Sequence, residues 1–159
     1  MLEILQFIQD YGAAAVREYG LIGIFIASAI GSTIFVPLSA ELTFPILVAA
    51  QVNRLAILVA ATVGALLGTL VNYWLGYRGV SIADKYLRKE DLEKAHKIMN
   101  RYGWVGVMVA LAVPVPLPID PLTILCGITR MDLKEFIAAV VVGKAIKYAL
   151  VLEVVGALI

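Results

Sequence analysis

One cysteine and one histidine are all the thiol and imidazole that 159 residues provide. Cys126 alone builds neither a disulfide framework nor a cysteine metal set. His96 sits in a charged stretch and has no second histidine to complete a metal site or to act as base for Ser32 or Ser39. GxSxG, HExxH and a nucleotide-binding loop are all missing from the sequence, so hydrolysis and ATP-driven transport have no residues to carry them. No enzymatic activity, metal or cofactor is expected. Charge is scarce as well: 16% of residues are charged and the net charge is +1, with no basic run interleaved with aromatics, which excludes a nucleic-acid surface. Glu3 and Asp10 fall where a signal peptide would need a positive start and an unbroken apolar run, so no leader is expected at the N-terminus.

What the chain has in excess is apolar side chains. At 62% hydrophobic, a protein of this length cannot cover its apolar residues with polar ones, which places it in a bilayer. The chain also repeats itself. EYGLIGIFIASA (18–29) and RYGWVGVMVALA (101–112) agree at five of twelve positions, and three more exchange Ile for Val. VPL recurs at 36–38 and 115–117, followed by an acid and a Leu-Thr pair: Glu41 with Leu42-Thr43, then Asp120 with Leu122-Thr123. Ile-Leu follows at 46–47 and 124–125, an Arg at 54 and 130, and a polar-Tyr pair at Asn72-Tyr73 and Lys147-Tyr148, the offset drifting from 83 to 79 to 75. Duplicated halves in a small apolar chain are the signature of an inverted-repeat transporter fold.

The fold class expected is all-α integral membrane: an inverted repeat of amphipathic helix, re-entrant helical hairpin and transmembrane helix, forming one membrane domain over 1–159. Residues 2–19 carry an apolar stripe and suit a helix lying on the membrane surface or against other helices, not a free span. Residues 21–53 hold a single charge, Glu41, until Arg54; the run is too long for one span and too short for two. A re-entrant hairpin fits, with its bend between Pro37 and Pro45. Residues 55–77 form a span closed by Tyr73, Trp74 and Tyr77 at the interface. A charged amphipathic linker covers 78–101. A second hairpin follows over 102–129, bent at Pro114, Pro116, Pro118 and Pro121, and residues 136–159 make the last span. One crossing per half turns the second half upside down, so the hairpin tips should face each other near the midplane. The seven Lys and Arg of 78–101 place that loop in the cytoplasm.

Glu41 and Asp120 occupy matching hairpin tips and are the candidates for coupling to protons or substrate. An ionised carboxylate at membrane depth costs roughly 2.5–3.5 kcal/mol unless it is paired, wetted or protonated. The bland alternative is a pair of acids permanently satisfied by lysines or backbone N–H groups. Lys144 and Lys147, three apart on one face, are placed either to neutralise these acids or to hold the phosphate of a lipid or another anion. On the repeat alignment their first-half counterparts are Thr69 and Asn72. Tyr148 lies beside them. Glu153, on the opposite face, reads as an interfacial or subunit contact. Arg54 and Arg130 follow the hairpins at opposite interfaces and serve either to snorkel or to admit an anionic substrate. Gly64, Gly68, Asn72 and Gly76 form a four-residue ladder that suits close helix packing, with Asn72 also able to line a polar path.

These residues resemble the DedA (SNARE-associated, VTT-domain) membrane proteins, and the chain is similar to their short YqaA-like form. The resemblance rests on Pro37 to Glu41, GALLGTLVNYWLGYRG (64–79), RYGWVGVMVA, DPLTILCGITRM (120–131), Phe136 and GKAIKY (143–148), and covers roughly 18–150. It implies two facing re-entrant hairpins and work on lipids, either flipping of polyprenyl phosphates or scrambling of phospholipids, in a proton-dependent setting. The family's acidic position in the first hairpin carries over to Glu41. Many members place two arginines around the proline of the second hairpin. Here Val113 and Ile119 stand near those positions, which weakens the case for a polyprenyl phosphate because arginine is the natural phosphate clamp.

The expectation is therefore a multi-pass protein of the cell membrane that moves or scrambles lipid headgroups in a proton-linked way. A proton-coupled carrier of a small solute or ion is the alternative, and a non-transporting scaffold with structural charge pairs is a third reading. Membrane lipids and protons are the expected partners, with self-association into a homo-oligomer left open.

Overall fold

Two glycines interrupt the helices at the same place in each half. Gly20 and Gly103, which both follow the tyrosine shared by the duplicated segments, have φ of 56° and 58° with ψ of −115° and −144°, a region that glycine enters freely and other residues rarely adopt. The computed structural model describes residues 3, 14, 18–33, 40–79, 88–114 and 119–159, with the side chains of 91, 92, 95 and 119–121 outside that description. The expected surface helix over 2–19, Pro37 and the bends at Pro116 and Pro118 therefore lie outside the described residues.

Six helices are described: α1 (Leu21–Gly31), α2 (Phe44–Ala49, preceded by a tight 3₁₀ turn at Ala40–Thr43), α3 (Arg54–Arg78), α4 (Lys89–Ala112), α5 (Ile119–Ile128) and α6 (Leu133–Leu158). No strand occurs among the described residues. Gly103 breaks α4 into a charged first half and an apolar second half. Pro45 sits in the first turn of α2, at the far edge of the expected bend, where a missing N–H costs nothing. The backbone likewise places Pro121 at the start of α5.

The junctions into the two long helices match bond for bond. The N–H groups of Ala50, Gln51 and Val52 donate to the carbonyls of Ile46, Val48 and Leu47, at 3.1, 2.9 and 3.0 Å. Those of Thr129, Arg130 and Met131 donate to Leu125, Gly127 and Cys126, at 2.9, 3.0 and 3.0 Å. Gln51 and Arg130 both turn the chain with positive φ, 58° and 52°. Asn53 then caps α3 by accepting from the N–H groups of Leu55 and Ala56, as Asp132 caps α6 by accepting from Lys134 and Glu135. Such caps contribute about 1 kcal/mol each.

This register corrects the sequence alignment at its far end. Arg130 corresponds to Gln51 and not to Arg54. The offset of 79 also persists along the long helices: a side chain at Gly64 would strike the Phe25 carbonyl and Ser28, and one at Gly143 the Met108 carbonyl and Leu111. Lys144 and Lys147 therefore match Ala65 and Gly68 instead of Thr69 and Asn72. The apparent drift to 75 came from a chance polar-Tyr match in two apolar helices, where identity carries little information and packing sets the register.

In the first half α1 lies parallel to α3, as shown by Phe25 at Gly64, Ala29 at Gly68 and Ser32 at Asn72. The two long helices run antiparallel to each other. Arg54 at the start of α3 reaches Glu153 and Gly156 near the end of α6, and the ring of Tyr73 lies 4.7 Å from that of Phe136 near its start. Two cores result. One joins Ile24, Phe44, Leu47, Ile57, Ala61, Tyr148 and Leu152. The other joins Val107, Leu111, Leu122, Leu125, Phe136 and Val140, with Leu66 and Leu70 packed against them. Each core mixes helices from both halves, so neither half is a separate unit.

The outer surface is apolar. Leu55, Val59, Val63, Leu67 and Val71 form an exposed stripe at four-residue spacing on α3, continued by Trp74. Val142, Ile146, Leu150 and Val154 do the same on α6. Buried positions, by contrast, include Ser28, Thr69, Asn72, Thr123, Lys144 and Lys147. Polar groups inside and apolar ones outside is the arrangement suited to lipid. α3 is long and apolar enough to cross a bilayer. α6 is equally long and carries Lys144, Lys147 and Glu153 along its length.

Candidate functional site

Lys147 lies near the middle of α6, about 21 Å from its first residue and about 16 Å from its last at the usual helical rise. Its Nζ is 2.7 Å from Oε1 of Glu41, whose side chain is three-quarters buried while that of Lys147 is nine-tenths buried. The tight turn at Ala40–Thr43 presents the carboxylate, and Thr43 stabilises that turn by donating its hydroxyl to the Ala40 carbonyl at 2.6 Å. The pair joins the turn ahead of α2, in the first half, to α6 of the second. An ion pair this far from either helix end must offset two desolvation costs, which makes its geometry more informative than its strength.

Tyr148 follows Lys147 and is almost fully buried. Its ring meets Phe44 edge-on at 5.5 Å, and the Lys144 ammonium lies 5.7 Å from its centroid. Ser28 and Ser32, from the first hairpin arm, face its hydroxyl. Ser28 Oγ is buried with no hydrogen-bond partner of good geometry. A satisfied interior leaves few such atoms, so this corner has unused polar capacity beside the ion pair.

Asn72 forms a second polar locus. It is fully buried, and its Nδ2 donates to the Ser32 carbonyl and to the Thr123 hydroxyl, each at 3.1 Å. Ser32 ends α1 of the first half and Thr123 lies in α5 of the second. Tyr73 adds a tie beside it, its hydroxyl donating to the Met131 carbonyl at 2.6 Å.

The other expected residues separate into groups. Gly64 and Gly68 lie against the backbone of α1, and Gly76 against that of α5, so close that a methyl group would overlap a carbonyl oxygen at each. Arg54 and Arg130 stand at opposite ends of α3. The first is 3.9 Å from an exposed Glu153, and the second lies 5.0 Å over the ring of Tyr77. Asp120 falls in the first turn of α5 by its backbone, but its side chain lies outside the described residues. Sequence reasoning gave Ser28, Ser32 and Thr123 no part in this site. The signal for the serines was present as hydroxyls inside the apolar run ASAIGST, though nothing there said which face they share.

Comparison with known proteins is consistent with this arrangement. An uncharacterized protein of Methanocaldococcus jannaschii is 22% identical over 93% of this chain and 91% of its own length. The uncharacterized membrane protein YbfM of Bacillus subtilis is 27% identical over 80% of this chain and 83% of its own. No solved structure matches the chain. The family model described as the VTT domain matches residues 36–157, which takes in both long helices, Glu41 and Lys147. The chain belongs to the VTT-domain (DedA) family of membrane proteins.

Proposed function

We propose that the protein translocates or scrambles lipids between leaflets, with the headgroup passing between two re-entrant hairpins while the acyl tails stay in the bilayer. In this reading α3 and α6 span the membrane in opposite directions. The hairpin arms are too short to cross: α1, with 11 residues, covers about 16 Å of a hydrocarbon layer roughly 30 Å thick. The end of α3 at Arg78, with the cationic first half of α4, faces the cytoplasm by the positive-inside rule.

The observation that carries the proposal is the Glu41–Lys147 pair, held deep between the halves. Protonation of Glu41 would release Lys147 and leave a cation free to attract a lipid phosphate, linking the movement to proton binding. Asp120 is proposed to act at the matching place of the second hairpin. Lys144, next to the glycine at which α6 meets α4, is proposed to balance charge there.

Purified protein reconstituted with fluorescently labelled phospholipids should speed their exchange between leaflets, read as loss of the protected fraction on adding a membrane-impermeant quencher. Glu41→Gln, which holds residue 41 neutral so that the pair cannot re-form and complete a cycle, should suppress the exchange. Equal rates with and without protein would sink the lipid reading, and pH-gradient-driven solute uptake by the same vesicles would replace it with a solute carrier.

A further inference from the structure

The two halves are tied together in two chemically different ways. On one side a long helix of the second half holds the first hairpin through an ion pair, Lys147 to Glu41. On the other, a long helix of the first half holds the second hairpin through a neutral amide, Asn72 to Thr123, and fastens the end of its own hairpin arm through the Ser32 carbonyl. A carboxylate can take up a proton and lose its charge; a carboxamide has no such state. Among the described residues, Lys147 of α6 is the charged group that meets Glu41, with Tyr148 beside the pair and Lys144 5.7 Å from the centroid of the Tyr148 ring. α1, α2 and α3 present apolar groups and hydroxyls there.

We propose that Asn72 is a charge-neutral pivot that keeps the two hairpins joined throughout the cycle, so that opening occurs on the Glu41–Lys147 side only and swings about this residue. Three features support a pivot. Asn72 is fully buried, so no water competes for its bonds. Its Nδ2 bonds residues from both hairpins, separated from it by 40 and 51 positions. The helices around it approach as closely as backbones can: Gly68 lies on Ala29 one turn before, and Gly76 and Gly127 lie on Ile124 and Tyr73 one turn after. A locus built for separation would not be packed backbone to backbone on both sides. The inference rests on the transport reading for its consequence, but not for its geometry.

The test replaces the amide with a removable covalent link. In a Cys126→Ala background, Asn72→Leu should lower lipid exchange about tenfold, and should speed amide hydrogen exchange in α1 near Ile30 and in α5 near Ile124 together. Adding Ser32→Cys and Thr123→Cys, bridged by a short reducible thiol cross-linker, should restore both readouts to within about threefold of the parent, and reduction should abolish the rescue in the same sample. Should bridging these positions in the Asn72 parent stop lipid exchange, the locus is a gate and the pivot is overturned. It is equally overturned if Asn72→Leu leaves hydrogen exchange in both segments unchanged, or if bridging restores neither readout. If the parent moves no lipid, the transport reading fails, while the hydrogen-exchange arm still decides whether Asn72 joins the hairpins. Thr123→Val, which removes one bond and little volume, should show the same paired change at smaller amplitude if the leucine variant does not fold.

Discussion

Lys147 Nζ meets Glu41 Oε1 at 2.7 Å although the two residues belong to different halves of the chain. Breaking one partner leaves the other charge stranded, whereas removing both does not. Lys147→Met alone should lower stability in detergent by about 3 kcal/mol, and Glu41→Gln with Lys147→Met should recover most of that loss. Denaturation midpoints of the two singles and the double measure the coupling. Additive losses would mean that the pair contributes nothing as a pair.

A different outcome is expected for a second cross-helix ion pair. Arg54 and Glu153 are 3.9 Å apart, with side chains 49% and 78% exposed. Pairs of that kind contribute about 0–1 kcal/mol. Glu153→Gln should shift the midpoint by less than about 0.5 kcal/mol, and should leave lipid exchange at the parental rate.

Glycine replacements should divide sharply by position. A methyl group at Gly68 would overlap the Ala29 carbonyl oxygen, and one at Gly76 the Ile124 carbonyl oxygen, while nothing lies within 4 Å of one at Gly79. Backbone cannot yield as a side-chain end does, so Gly68→Ala and Gly76→Ala should each cost about 2 kcal/mol or more, and Gly79→Ala should be close to neutral. Thermal unfolding of the three variants side by side decides the matter.

The matched caps offer a test of the repeat itself. Asn53→Ala and Asp132→Ala each remove a side chain that accepts from two N–H groups at the start of a long helix. Each should cost about 1 kcal/mol, and the two losses should add, because the caps lie at opposite ends of the molecule. Chemical denaturation of both singles and the double provides the comparison.

Much of this architecture could be read before any coordinates. The duplicated segment at 18–29 and 101–112 marked the repeat, and the apolar run 55–77 marked α3, because those features depend on local sequence alone. Glu41 stood out because it is the one charge between Glu18 and Arg54. Register along the long helices could not be read, since Lys147 matches Gly68 only once the contacts of Gly64 and Gly143 are seen. Nor could the company of Asn72, whose partners lie 40 and 51 residues away and are ordinary hydroxyl and carbonyl groups. Pro45 marked an element boundary for a physical reason: proline breaks a helix from within but begins one well, and here it opens α2.

The doubled turn at Ala50–Asn53 and Thr129–Asp132 has a mechanical corollary. Three successive amides are engaged in each, and a capped helix follows at once, which leaves little slack between the short arm and the long helix after it. Arm and helix therefore behave as a single bent lever. Tension applied at the Glu41 turn that leads into α2 is delivered to the far end of α3, and the same holds from α5 to α6.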